Sequence, residues 1–313
     1  MSSEKYIVDI PMCVYNHERY IAKAIEGVLS QKTTFKYRLI IGEDYSTDNS
    51  REIVKKYFDT NRDKMKIFFN EKNIGAHKNT KMLFSNCRAK YIALCDGDDY
   101  WTDPYKLQKQ VDFLESNPDF SICFHKAKVI YDEGIQPFYP DINKDTKEVT
   151  GMEDILKGNY MHTPTVVFRN NDLTLPEWFE TAYPGDWVLH VINATYGKIK
   201  FIKEEMSVYR VHAGGANSMK SHSYRISQFL PTIKNVANYL KKSWPEYSKQ
   251  LLRKYDVEYF YLNIVENELK KNRILRSILF IKYGLLMRSK KILVFFWSPL
   301  IFGNKTKTFL DKF

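Results

Sequence analysis

The sequence predicts an α/β protein built on a mostly parallel sheet, and three observations carry that reading. Short apolar runs rich in β-branched residues alternate with segments whose apolar side chains recur at helical spacing, the pattern of βαβ units. The run Tyr91-Ile92-Ala93-Leu94-Cys95 reads as a buried strand and stops abruptly in Asp96-Gly97-Asp98-Asp99. Another acidic cluster, Glu43-Asp44 with Asp48, ends an earlier apolar run. Both clusters then fall on the carboxyl edge of one sheet, where open α/β sheets bind ligands.

Taken in order, Tyr6 to Val14 is the first strand, broken by Tyr15-Asn16-His17-Glu18. Ile21, Ala24, Ile25, Val28 and Leu29 then line one helical face, with Asn16 placed as its N-cap. Arg38 to Ile41 is the second strand. It is followed by a helix that puts Ile53, Val54, Tyr57 and Phe58 on one side and takes Ser46 or Asp48 as cap. Lys66 to Phe69 is a short third strand, and Asn73-Ile74-Gly75 turns into a helix around Lys78 to Cys87. After the acidic turn, Asp103-Pro104 starts a helix with Leu107, Val111 and Leu114 inward, ended by Asn117-Pro118. Ser121 to Tyr131, Thr163 to Phe168 and Ile199 to Val211 read as further strands. A polar loop from about 132 to 148 follows the first of these, and a helix from near Asp186 to Tyr196-Gly197 separates the last two. Beyond His222 the pattern changes to long helices, Ile226 to Lys242 and Tyr247 to Lys271, and no internal repeat occurs. The expected organisation is a catalytic-size α/β domain over 1–219 and a helical, basic region over 220–313.

Composition narrows the classes. With 313 residues, 44% of them hydrophobic, the chain can bury a substantial core and is not globally disordered. Four cysteines (Cys13, Cys87, Cys95, Cys123) lack paired metal-ligand spacing and fit free thiols in a reducing compartment. From Lys270 to Phe313, 11 Lys and Arg face the single acid Asp311, so ten of the eleven net positive charges belong to this tail. A near-neutral body argues against a nucleic-acid-binding core. The apolar stretch Ile274 to Phe302 is interrupted by Lys282, Arg288, Lys290 and Lys291, which suits a basic amphipathic helix on a membrane surface better than a span. The N-terminus has no signal-peptide pattern, so the expected location is cytoplasmic, peripheral at the inner face of the membrane.

Three carboxylates within the four residues 96–99 repel one another unless they are hydrated, hydrogen-bonded or neutralised by a cation. A divalent metal carrying a phosphorylated ligand is the sharpest such arrangement, and a hydrated acidic turn is the plain one. No Gly-x-Gly-x-x-Gly follows the first strand and no Walker Gly-Lys-Ser/Thr is present, which argues against dinucleotide oxidoreductases and P-loop enzymes.

The order of motifs resembles the family 2 glycosyltransferases, nucleotide-sugar-dependent enzymes of the GT-A fold. The resemblance lies in Pro11-Met12-Cys13-Val14-Tyr15-Asn16-His17, Ala24 to Gln31, Glu43-Asp44-Tyr45-Ser46-Thr47-Asp48, Asn73-Ile74-Gly75 and Asp96-Gly97-Asp98-Asp99-Tyr100-Trp101 up to Pro104. Later come Gly185-Asp186-Trp187 and Tyr209-Arg210-Val211-His212 with Ser218. It covers roughly 6 to 219. It implies a Rossmann-like GT-A sheet with flanking helices and a C-terminal helical extension. It also implies a nucleotide-sugar donor and a divalent metal, Mn or Mg, held by Asp98, Asp99 and His212. Pro11, Cys13, Tyr15, Asp44, Lys78, Asp96, Asp98 and Arg210 are the nucleotide-binding residues so implied, with Tyr15 stacking on the base and Asp44 accepting from a ring N–H. That acceptor fits uracil, thymine or guanine, so UDP is favoured. Asp186 resembles the catalytic base, although Gly185 stands where the family commonly has a Glu, and the plain reading of Asp186 is a helix N-cap. The expected activity is inverting transfer to a glycan or lipid-linked acceptor in cell-surface polysaccharide assembly. The alternative is a catalytically silent nucleotide-sugar or glycan-binding component of a membrane-associated assembly complex.

Overall fold

The computed structural model describes residues 6–135, 142–143, 146–215, 220 and 222–260. The expectations for the basic tail and for Ser218 lie outside them. Contacts divide the chain into two compact units, Met1–Arg253 and Lys254–Phe313, and the sheet belongs to the first.

The first half alternates as expected: β1 (Val8–Val14), α1 (Ile21–Leu29), β2 (Tyr37–Glu43), α2 (Ser50–Thr60), β3 (Met65–Phe69), α3 (Ala76–Phe84) and β4 (Tyr91–Ala93). Strands β3, β2, β1 and β4 lie side by side and all run parallel. Near-continuous apolar runs suit such strands, since both faces are covered; in β1 every residue but Cys13 is buried. Pro11 interrupts neither neighbour. It registers with Ile40 of β2, whereas the β1–β4 pairing covers only Val8 and Asp9, so its missing N–H falls where β1 has one partner strand.

The second half changes hand. It comprises β5 (Tyr100–Trp101), α4 (Lys106–Ser116), β6 (Phe120–Tyr131), β7 (Val149–Thr150), α5 (Met152–Ile155), β8 (Val167–Arg169), α6 (Gly185–Ala194) and β9 (Lys198–Val211). The sheet continues as β4-β8-β6-β9-β5, with β7 on β9. Here β8 runs antiparallel to β4 and β6, while β6 and β9 run parallel over their length. The parallel order therefore holds for the first half and gives way to a mixed sheet in the second.

Boundaries differ in physically instructive places. The expected strand Thr163 to Phe168 divides into a 3-10 turn over Thr163–Thr165 and then β8, because Pro164 cannot join a ladder. Asn16 does not cap α1. Tyr20 precedes that helix without a side-chain cap, and Asn16 adopts φ 56° and turns its Oδ1 to the Thr47 N–H at 2.8 Å. Asp48 does serve α2, accepting from the Ser50 N–H at 2.9 Å. All four cysteines are free thiols.

Two long helices come last among the described residues, α7 (His222–Leu240) and α8 (Pro245–Phe260). The first buries Ile226, Leu230, Ile233, Val236, Ala237 and Leu240, and its Thr232 Oγ1 accepts from the Tyr183 N–H at 2.8 Å. That burial places α7 within the first unit. Among the described residues no helix is long and apolar enough to cross a membrane.

One polar residue in the core was not foreseen. Asp9, wholly buried in β1, accepts from the Arg88 and Ala89 N–H groups at 2.7 and 2.9 Å and pairs with the Arg38 guanidinium at 3.0 Å. It ties the entrance of β4 to the middle of the sheet. Asp9→Ala is expected to cost about 3 kcal/mol or more, since it strands one buried and one partly buried N–H group and a partly buried guanidinium. Chemical denaturation checks this.

Candidate active site

The site gathers where β1, β2, β4 and β9 end. After β4 the chain turns through Asp96-Gly97-Asp98-Asp99 and enters β5, which pairs antiparallel with β9 at Tyr100↔Val208. The turn is thereby pressed against Arg210 and His212 at the far end of β9. The Asp99 carboxylate accepts from the Arg210 N–H at 2.8 Å, and the Arg210 Nε donates to the Asp98 carbonyl at 3.1 Å. The Asp98 Oδ2 meets the His212 Nε2 at 3.0 Å. The Arg210 guanidinium lies 4.7 Å from the Tyr20 ring centroid and 3.6 Å from an Asp132 oxygen, so it is half-committed to packing.

These contacts sort the three aspartates. Burial would raise Asp98, but the hydrogen bond from His212 and the nearby His17 and His212 outweigh it and hold the group below the ordinary carboxylate range. Asp99 is pushed well upward by burial and by the Asp98 charge. Asp96 is raised by burial and then by the charges of Asp98 and Asp186, so it lies in the field of both. Asp98 and His212 thus lie side by side, while Asp99, 2% exposed, accepts the Arg210 N–H on one oxygen. Among the described residues no three His, Cys, Asp or Glu side chains form a ready cage.

Gly97 lets the turn sit this close. A Cβ there would stand 2.7 Å from the His17 Nδ1 and 3.0 Å from the Cys13 carbonyl, which already accepts the Gly97 N–H at 3.2 Å. Burial and the Asp96 charge push the Cys13 thiol up to about 12, so it is no nucleophile.

Asp186 lies in the first turn of α6, one residue inside the helix, with Pro184 at the cap position. Its Oδ1 accepts from the Trp187 N–H and its Oδ2 from the Asn159 Nδ2, both at 2.8 Å. Each oxygen keeps a second lone pair, so holding a helix N–H and taking a proton are compatible. Burial raises its pKa to about 6 against those two hydrogen bonds. Asn159, which sequence reasoning missed, is itself oriented by the Met161 N–H on its Oδ1 at 3.1 Å. At Gly185 a Cβ would lie 3.3 Å from Phe179 and 3.4 Å from His77, so those two rings crowd the position of the absent Glu.

The other expected residues separate into rim and core. Asp44, 2% exposed, accepts from the Ile74 and Gly75 N–H groups at 2.8 and 2.9 Å and from the Asn70 Nδ2 at 2.8 Å. It holds the Asn73-Ile74-Gly75 turn, and its Oδ2 retains one lone pair. Tyr15 is 43% exposed beside it. Lys78 is exposed on α3, and Cys13 is half-buried with its Sγ 3.3 Å from the Thr80 hydroxyl. Pro11 is buried inside β1, three residues before the strand ends.

Residues 9–169 match the model for Glycosyl transferase family 2. The chain belongs to that family. An uncharacterised protein of Mycobacterium tuberculosis is 38% identical over 202 residues, 64% of this chain and 58% of its own length. This chain thus spans less than two thirds of that relative. Among solved structures, Staphylococcus aureus TarS 1–349 in complex with UDP-GlcNAc aligns with TM-score 0.62 at 19% identity, covering 88% of this chain and 78% of that one. The mannosyltransferase PcManGT from Pyrobaculum calidifontis, in complex with GDP-Man and Mn2+, aligns with TM-score 0.55 at 11% identity, covering 93% and 83%. Both share the fold, the GT-A arrangement of a mixed sheet with flanking helices.

Gly97→Ala is expected to lower stability by about 1–3 kcal/mol, because the turn must leave the Cys13 carbonyl and His17 to admit a methyl group. A thermal melt of the variant beside the parent reads this directly.

Proposed function

We propose that the chain is an inverting, metal-dependent glycosyltransferase that moves a sugar from a nucleoside-diphosphate sugar, with UDP favoured, to a hydroxyl of a glycan or lipid-linked acceptor in cell-surface polysaccharide assembly. The observation that carries this reading is the meeting of Asp98 and His212, distant in sequence, with Asp96 in the field of both Asp98 and Asp186. A metal-binding corner and a candidate base therefore share one electrostatic neighbourhood. Family membership and the nucleotide-sugar and Mn2+ complexes of the two structural neighbours support the donor class.

The donor set fits a divalent cation. A carboxylate and an imidazole already converge, and Mg or Mn is commonly held by one or two protein groups, with substrate phosphates and water completing the shell. Asp98 and His212 would hold it, with Asp96 beside them and with Asp99, whose Oδ1 accepts from the Arg210 N–H and whose carboxyl keeps further lone pairs. When bound, the metal supplies charge neutralisation to the departing diphosphate. Lys78 and Arg210 add cationic groups on the same rim.

The chain's own chemistry is a single displacement. Asp186 takes the proton of the acceptor hydroxyl as its oxygen bonds to the anomeric carbon, and the bond from that carbon to the diphosphate oxygen breaks with inversion. Asn159 and the Trp187 N–H orient the carboxylate for this. A base raised to about 6 is ionised at neutral pH yet more basic than an ordinary Asp, which speaks against the catalytically silent alternative. Tyr15 and Asp44 receive the base at the β1 and β2 ends.

Three outcomes are expected. Asp186→Asn lowers kcat by about two orders of magnitude or more while UDP affinity, read by calorimetry, stays near that of the parent. Because the base must be ionised and its pKa is raised in the free protein, kcat/KM falls about tenfold per pH unit below about 6 and is flat above it, in a pH–rate profile. Mn2+ at a hundred times its Kd stabilises the parent by about 2.7 kcal/mol in a thermal-shift series, and both Asp98→Ala and His212→Ala lose that increment.

A further inference from the structure

We propose that Tyr45 is a nucleotide-binding residue whose ring, together with Tyr15, walls the nucleobase subsite. The inference rests on the reading of Tyr15 and Asp44 as base-recognising residues and extends it to a side chain that reading does not use.

Tyr45 stands in the left-handed region, at φ 61°. That conformation brings Cβ against the backbone and is costly for any residue with a bulky side chain. Burial does not offset the strain, since the residue is 48% exposed. Strain held at an exposed side chain is a feature of ligand clamps, because selection for folding alone would relieve it.

The neighbouring hydrogen bonds show how the conformation is enforced. The Asn16 N–H donates to the Ser46 Oγ at 3.0 Å, the Thr47 N–H to the Asn16 Oδ1 at 2.8 Å, and the Ser46 N–H to the Glu43 Oε1 at 2.7 Å. This latch ties the loop after β1 to the loop after β2. Because β1 and β2 are registered through Val14↔Glu43, and the Asp44 N–H donates to the Val14 carbonyl at 2.9 Å, the two loops leave the sheet side by side. Each delivers one exposed tyrosine next to Asp44.

Packing does not account for the ring. Arg51 lies 5.5 Å from the Tyr45 centroid, but the same guanidinium is already ion-paired with buried Glu43, bonded to the Asn70 carbonyl and covered by Phe69 at 5.3 Å. Tyr45 thus has one guanidinium over its ring and leaves 48% of its surface exposed. A free aromatic surface beside a carboxylate with a spare lone pair suits a planar heterocycle bearing a ring N–H: uracil, thymine or guanine.

Calorimetry with Mn2+ decides the matter: UDP, GDP, TDP and inorganic pyrophosphate on the full chain, and UDP and pyrophosphate on Tyr45→Asn, Tyr45→Phe and Tyr15→Ala. Asparagine tolerates the left-handed backbone and removes the ring, so Tyr45→Asn is expected to keep or raise Tm while UDP binds about fivefold or more weakly, the scale of one lost stacking partner. Pyrophosphate affinity stays unchanged, and Tyr45→Phe retains UDP affinity. If Tyr15→Ala weakens UDP binding but Tyr45→Asn does not, the proposal for Tyr45 is overturned and the base site stands. A Tyr45→Asn variant that loses Tm and binds UDP as the parent does would also overturn it, showing a structural ring. Parent protein that binds no UDP, GDP or TDP removes the base-site reading itself, and this proposal with it.

Discussion

Much of this site depends on one buried carboxylate accepting one backbone N–H. Asp99 cannot be left uncompensated in a nearly solvent-free turn, and the Arg210 N–H is the donor it receives. That bond fastens the end of β9, already paired with β5, to the turn after β4, although the two residues stand 111 positions apart in the chain. The Arg210 side chain then reaches the Asp98 carbonyl, and two residues further on His212 reaches the Asp98 carboxylate. The meeting of Asp98 and His212 thus accompanies the satisfying of the neighbouring Asp99.

Crowding of negative charge gives the three aspartates different characters. Asp98 stays low because histidine faces it, while Asp99 and Asp96 rise because burial removes water and Asp98 adds repulsion. Asp44 and Asp186 follow another logic. Each accepts from backbone N–H groups that the fold would otherwise leave unsatisfied, and each keeps lone pairs over for a ligand. Their conformations are fixed before anything binds, which reduces the ordering that binding would require.

How much of this was legible depends on the range of each interaction. The alternation of β1 through β4 with α1 to α3, the acidic turn after β4 and the long strands β6 and β9 all come from local pattern and emerged within a few residues of expectation. Asp9 was hidden, because one polar residue in an apolar run does not announce its partners; these lie near residue 88, far along the chain. Asn159 was equally silent, sitting in an irregular stretch with its partner 27 residues away. Asn16 was misassigned for the converse reason. It has the composition of a helix cap, yet the loop after β2 offered its side chain a better donor.

By itself the sequence determined the class of fold, the rim on which the carboxylates gather and the family motifs, since these depend on periodicity and on contiguous residues. Tertiary structure alone decided which aspartate faces His212, that Asp186 lies within its helix with both oxygens engaged, and that Tyr45 is both strained and exposed. The division has a physical cause. Local pattern records what a segment must bury, whereas the partner of a buried polar group is chosen by whichever distant donor the packed sheet brings within hydrogen-bonding reach.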